Sequence, residues 1–440
     1  MKTNRKRTGG RLAAAVLTGA AVLTLAACGG QEEGGRNLLT DTEESERIVN
    51  FYSPMEKTDP DVENTARTAS DLTVAMAEEQ LGVTVAYNTY TAEDYEDKTY
   101  DDVAIDRARH NMDDLYLLNP DTIRTLGEEG ALADLSGLSC VENLRDVVKT
   151  ANMVDGKLVA IPQEVVAYGL FINQDMFDQY NLQLPETPED FLECCRVFQE
   201  NGIETPVGAN RWWLETFVFA QAYADLYNGG NTEAEIAALN SGESKYSDYM
   251  RSGFVFLQEL IDCGYVDAQK ALVSEAIEGE GEDFLAQKTP IVMAYWGAAN
   301  AETAYGRPDF NMVVIGFPSS RGQMPVMSIT GFAVGANAEH RDDALQTLEV
   351  ILSDEALQLY TETNKVISPS KNVEVDCIAA LRPLNDKIQQ NIYVLGANAS
   401  MKVEQWGNTC LIVRDLLGGA TVDECMEAFD RLQEESLHQE

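Results

Sequence analysis

A chain of 440 residues, 45% of them apolar and 24% charged, is long enough to bury two cores and too apolar to stay unfolded. Its 73 acidic and 32 basic residues give a formal net charge of −41. A surface of that sign repels phosphate backbones and anionic headgroups, which excludes nucleic-acid binding and a polybasic grip on lipid.

The first segment reads as an address. Lys2, Arg5, Lys6, Arg7 and Arg11 precede an apolar run over 12–27, short for a bilayer span and suited to the core of a signal peptide. The run ends in Leu25, Ala26, Ala27, Cys28 and Gly29, which resembles a bacterial lipobox. That resemblance implies a lipoprotein signal peptide over 1–27 and diacylation of Cys28. It also implies an anchor on the outer face of the bacterial plasma membrane, since two acyl chains hold stably where one does not. The competing reading is an ordinary signal peptide with a chance cysteine. Residues 28–46, rich in Gly and Glu, are expected to form a flexible tether. No second apolar run of 18 or more residues follows.

From residue 47 strand and helix patterns alternate. Strands are expected at 47–52, 82–87 and 113–118, with helices at 71–80 and 101–111 between them. Short apolar stretches at 158–162 and 168–173 lead to a helix at 189–201, for which Thr187 is a good N-cap and Pro188 a good first residue. Amphipathic helices are expected at 214–227 and 250–263, strands at 290–296, 312–318 and 331–335, and helices at 341–352, 354–363, 408–417 and 421–435. Alternation of this kind implies α/β architecture with crossover helices, and two lobes fit the length better than one oversized sheet.

Seven cysteines follow Cys28: Cys140, Cys194, Cys195, Cys263, Cys377, Cys410 and Cys425. They form no CxxC pair, and adjacent Cys194 and Cys195 cannot bridge each other without strain, so mostly buried thiols are expected. His110, His340 and His438 lie too far apart in sequence to suggest a zinc or iron site. The acidic stretch Asp59, Asp61 and Glu63 lacks the glycine and spacing of a calcium loop and reads as a solvated turn. No GxSxG, HExxH, P-loop or GxGxxG occurs, and the glycine-rich segment at Gly279 is acidic. No cofactor is expected.

Three segments in a fixed order carry a resemblance. DLYLLN at 114–119 is followed by LGEEGALADL at 126–135. GKLVAIP at 156–162 leads to YGLFINQDMF at 168–177 and PETPEDFL at 185–192. GFAVGA at 331–336 is followed by ISPS at 367–370. Together they resemble the family 1 extracellular solute-binding proteins, the maltose-binding-protein-like receptors of carbohydrate ABC importers. The resemblance implies the two-lobed periplasmic-binding-protein-like fold of type II, with three hinge crossings and a ligand cleft between the lobes. By it, lobe one takes 47–165 and 327–385, and lobe two takes 166–326 and 386–440. It further implies a monomer that binds a small solute without altering it, a mono- or oligosaccharide by default, and delivers it to the permease subunits of an ABC importer.

A sugar offers apolar ring faces and hydroxyl rims, so its receptor needs flat aromatic rings with carboxylates, amides and hydroxyls around them. Trp212 and Trp213 precede a helix and either face the cleft or cap the core of the second lobe. Tyr295 and Trp296 end a strand, with the same two alternatives, and Trp406 falls where the family's C-terminal segment supplies an aromatic. Tyr52 and Ser53 end the first strand, and Asn119 follows another, so each is a cleft candidate or a turn residue. Gln163, Glu164 and Tyr168 lie at the first crossing, where the family carries polar ligand contacts. Val165 and Val166 stand where some maltose binders carry a carboxylate, which argues for a ligand other than maltodextrin. Arg211 reads as a surface ion-pair residue, with an acidic ligand as the alternative. Two other classes remain open: a secreted carbohydrate-active hydrolase using two of the many carboxylates, and a surface adhesin on the same fold.

Overall fold

A strand buried on both faces reads as a continuous apolar run, as 115–118 and 331–334 do in the first sheet, while its edge strand 84–89 is only partly buried. In the computed structural model, Ile48–Ser53 lies parallel to Thr84–Thr89 on one side and to Leu115–Leu118 on the other, and Gly331–Val334 completes the sheet antiparallel to Leu115–Leu118. Side chains alternate across it. Val49, Phe51 and Leu115 enter the main core, whereas Tyr52, Tyr116 and Leu118 enter a second cluster with Val103, Ala104 and Ile123. The second cluster includes side chains of helices Tyr100–Arg109 and Pro120–Glu128, and helices Ala69–Leu81, Arg341–Ile351 and Asp354–Asn364 pack together on the main core.

The structure describes residues 47–54, 57, 69–91, 98–211, 213–274, 278–296, 308–374 and 379–438, with backbone alone at 278–280 and 294–296. The signal segment, Cys28, the tether, the acidic turn at Asp59, Trp212 and Cys377 lie outside the described residues.

The second sheet is organised around Val166–Asn173. This strand pairs antiparallel with Ile291–Trp296 along one edge, and with Val326–Ser328 and Met312–Ile315 along the other. Val394–Leu395 and Val207–Gly208 extend the sheet outward. The chain therefore changes sheets between Ser328 and Gly331, and again before Val166. Bridges Ile161–Phe332 and Val165–Ile367 tie these passages together.

Helix ends follow local chemistry. Thr187 caps Pro188–Glu200: its hydroxyl accepts from the Asp190 N–H at 3.2 Å while the Asp190 carboxylate accepts from the Thr187 N–H at 3.0 Å. Thr187→Ala is expected to lower the urea midpoint by the equivalent of about 1 kcal/mol with an unchanged slope. The single helix expected at 214–227 is instead two, Glu215–Ala222 and Ala224–Asn228, because fully buried Tyr223 takes φ −108° and ψ 2° between them. A one-residue break leaves the apolar period almost intact, so the sequence conceals it. The six described cysteines are free thiols, and burial pushes Cys194 and Cys410 up to about 12. No helix among the described residues is long and apolar enough to cross a membrane.

Candidate functional site

Two helix starts form one wall of a cavity of about 570 Å³. Thr99 caps Tyr100–Arg109, which sets Asp101 in its first turn, and Asn119 precedes Pro120–Glu128 with Pro120 at the first helical position. The Asn119 amide donates to both Asp101 oxygens at 3.1 and 3.0 Å, and the Thr122 hydroxyl donates to Asp101 at 2.8 Å. This knot fixes the two helix ends against each other. Asp121, Arg124 and Thr125 line the cavity from the second helix.

The opposite wall comes from the second sheet and the segments beside it. Tyr168 stands on its central strand, and Trp406 opens the helix Trp406–Leu417. Their rings lie 5.0 Å apart at 44°, and Phe219 backs the indole at 5.4 Å. Gly396 lets the indole sit there: a β-carbon at that position would come within 2.3 Å of the ring. Ser328, Ala397, Glu404 and Gly407 complete this wall.

The charges face one another across the gap. Burial first, then the negative Glu404, pushes the Asp121 carboxyl up to about 7, with Arg124 opposing. Burial also raises Glu404, again against Arg124. Arg124 holds Glu128 at 3.1 Å, while its buried Nε finds no partner. The cavity thus offers an aromatic floor, carboxylates that accept from hydroxyls, the Arg124 guanidinium as a donor, and the side-chain oxygens of Asn119 and Thr125 as further acceptors, since their own hydrogens go to Asp101 and the Asp121 carbonyl. A volume of this size suits a small ligand.

Of the residues singled out in the sequence, Asn119, Tyr168 and Trp406 meet in this cavity. Tyr52 does not line it. It is a packing residue, 1% exposed, stacked on Tyr100 at 4.9 Å and 10° with the Arg107 guanidinium over its ring. Ser53 is buried at the same strand end. Gln163 is a latch, donating to the Thr73 hydroxyl at 2.8 Å and the Ile351 carbonyl at 3.2 Å. Glu164 is half-buried and its charge bears on Tyr360, so it belongs to the packing of the crossing. Trp213 is 8% exposed and packs in the main core, the second of its two alternatives. Arg211 donates to the Leu272 carbonyl at 3.2 Å. Tyr295 and Trp296 pair in backbone register with Tyr168 and Ala167, and their side chains lie outside the described residues. Asp101, Asp121, Arg124 and Glu404 escaped the sequence reading. For Asp121 the available signal was an acidic residue just after a strand and an N-cap, because ligands gather beyond the carboxyl ends of parallel strands; for Asp101 it was only its place two residues after the N-cap Thr99.

A slightly larger cavity of about 620 Å³ opens at the edge of the second sheet, near Val207, Lys270 and Lys288. No aromatic ring among the described residues lines it, and Asp283 already engages Lys270 at 2.8 Å and Lys288 at 3.0 Å. The smaller cavity, with one wall from two helix starts and the other from the second sheet and its neighbouring segments, is the candidate binding site.

The sequence profile of the bacterial extracellular solute-binding protein family matches residues 64–358, more than half of the chain. No curated protein sequence matches it. A family 1 extracellular solute-binding protein from Bifidobacterium longum subsp. infantis is similar in structure at a TM-score of 0.69 and 17% identity, covering 89% of this chain and 99% of its own. RafE from Streptococcus pneumoniae, also solved in complex with raffinose, gives a TM-score of 0.66 at 13% identity over 89% and 98% of the two chains. The sugar-binding protein MalE from the phytopathogen Xanthomonas citri gives 0.67 at 14% over 89% and 97%. Such identities carry the fold alone. Profile match, α/β architecture and two-walled cavity lead to one assignment: the chain belongs to the family 1 bacterial extracellular solute-binding proteins and has their two-lobed, type II fold.

Proposed function

We propose that the protein is a lipid-anchored receptor that captures a mono- or oligosaccharide in the cavity between Trp406 and Asp121 and passes it to the permease subunits of an ABC importer. The observation that carries this reading is the pairing of Tyr168 and Trp406 at 5.0 Å opposite a wall of carboxylate, amide and hydroxyl groups. Sugar rings stack on such a floor while their hydroxyls donate to the opposite wall. The raffinose complex of RafE, a relative of the same fold, supports the same substrate class. The anchor would be Cys28, holding a monomeric receptor at the outer face of the plasma membrane through the tether 28–46.

The lobes would be 47–165 with 327–385, and 166–326 with 386–440, joined by three crossings. Sheet membership supports this division, since Val326–Ser328 pairs in the second sheet and Gly331–Val334 in the first, and the middle crossing would fall at 329–330. Closure would bring Asp121 and Arg124 toward Glu404 and Trp406, and ligand contacts to both walls would drive it.

The test is a thermal-shift panel of raffinose, maltotriose, xylotriose and chitotriose on the mature protein. One of them is expected to raise Tm, since a ligand at a hundred times its Kd stabilises by about 2.7 kcal/mol. A panel that shifts nothing at millimolar concentration would overturn the sugar reading. Slow release of shorter fragments would favour the hydrolase instead.

A further inference from the structure

Asparagine is among the preferred residues just before a helix, because its side-chain oxygen accepts from first-turn N–H groups. Asn119 holds that place before Pro120–Glu128 with extended backbone, φ −79° and ψ 157°, yet its side chain makes no capping bond. The other helix start at the cavity follows the rule: Thr99 caps Tyr100–Arg109 in a reciprocal pair with Asp102. Asp101 accounts for the exception. The Asn119 amide nitrogen donates to both Asp101 oxygens, at 3.1 and 3.0 Å, which draws the amide away from its own helix. A carboxylate offers lone pairs alone, so the nitrogen end of the amide is the end that faces it.

The Thr122 hydroxyl adds a third bond to Asp101 at 2.8 Å and helps hold the carboxylate in place. The amide oxygen is then left over. Asn119 is exposed and lines the cavity, and among the described residues nothing donates to its side-chain oxygen. Thr125 is arranged alike on the same wall: its hydroxyl hydrogen goes to the Asp121 carbonyl at 2.9 Å, so its lone pairs remain for a guest. A helix cap forgone at a cavity wall is a local sacrifice that a ligand contact explains.

We infer that Asp101 is a positioning residue: it holds Asn119 by the amide nitrogen, off the helix it would otherwise cap, and so keeps the amide oxygen for a hydroxyl hydrogen of the ligand. The inference rests on the proposed sugar site and gives it a rule of selection. At this wall the ligand donates, and a group of the same size with no hydrogen to give is rejected.

The test sets the panel sugar that raises Tm against its monofluorinated analogues, each with one hydroxyl exchanged for fluorine, which is similar in size and cannot donate. Titration calorimetry on the mature wild-type protein is expected to show a position where fluorine weakens binding about tenfold or more. In Asp101→Ala the amide at 119 is free to turn, and the penalty at that position is expected to fall to about threefold or less. Loss of a merely structural support would weaken both sugars alike; an unchanged ratio would therefore overturn the inference. Asn119→Asp sets two carboxylates against each other and is expected to weaken the panel sugar about tenfold. Adding Asp101→Asn puts a donor opposite the new carboxylate, and affinity and fluorine penalty are expected to return to within about threefold of wild type. A double variant as weak as Asn119→Asp alone would count equally against the inference, and this pair decides should Asp101→Ala fail to fold. Wild-type protein that binds the sugar with no sensitive fluorine position would sink the inference and leave the receptor reading standing. Wild-type protein that binds no panel sugar would remove the receptor reading and the inference together.

Discussion

Trp406→Ala is expected to weaken binding of the panel sugar by about 30- to 100-fold, the equivalent of about 2–3 kcal/mol, measured by titration calorimetry. The indole lines the cavity, and Phe219 and Tyr168 pack against its ring. Truncation removes both the contact area and the flat surface a sugar ring needs. The neighbouring loss of Phe219 packing would lower Tm as well, so affinity is compared at a temperature where both proteins are folded. Tyr168→Ala is expected to act in the same direction. Equal affinities in wild type and Trp406→Ala would show that the floor is not used.

The second large effect concerns pH. The Asp121 carboxyl is pushed up to about 7 by burial and by Glu404, and the ordinary aspartate value applies once the chain unfolds. The native state therefore holds a proton that the unfolded state has released, between roughly pH 4 and pH 7. Its contribution to stability is full below the unfolded value and is lost as pH rises through about 7. Asp121→Asn keeps the shape and removes the charge. The stability difference between this variant and wild type is expected to grow from pH 5 to pH 8 in favour of asparagine, reaching about 1–2 kcal/mol. That figure is discounted from the full shift because water reaches the cavity. Denaturant titrations at both pH values measure it, and a difference independent of pH would contradict the burial and charge assigned to Asp121. The groups that face it are Asp101, Arg124 and Glu404, so Glu404→Gln is expected to remove part of the same dependence.

What the sequence revealed follows from which signals are local. Thr187 and Pro188 announced their helix because a cap is a matter of adjacent residues, and the apolar run 115–118 announced a strand buried on both faces. Tyr168 was named for its place at the first crossing and Trp406 for its place in the C-terminal segment, both by the family resemblance, but their meeting across more than two hundred residues is a property of the fold. Tyr52 shows the converse. The end of a first strand is a sound place to look for a ligand contact, yet the side chain points into the cluster with Tyr100 and Tyr116. Alternation gives the two faces of a strand, not which one a neighbouring helix will cover. Gln163 misled for a similar reason: a polar residue at a crossing serves a ligand or a buried carbonyl equally well, and Ile351 claimed it. Asp121 and Glu404 were invisible among 73 acidic residues, because only three-dimensional opposition makes either unusual.

The crystal structure of the mature protein with the panel sugar that raises Tm tests the central claim most directly. The account expects a sugar ring against the faces of Trp406 and Tyr168, hydroxyls on Asp121 and Asn119, and the two walls drawn together over it. A sugar bound instead near Lys270 and Lys288, or a cavity left empty while the ligand sits elsewhere, would contradict it.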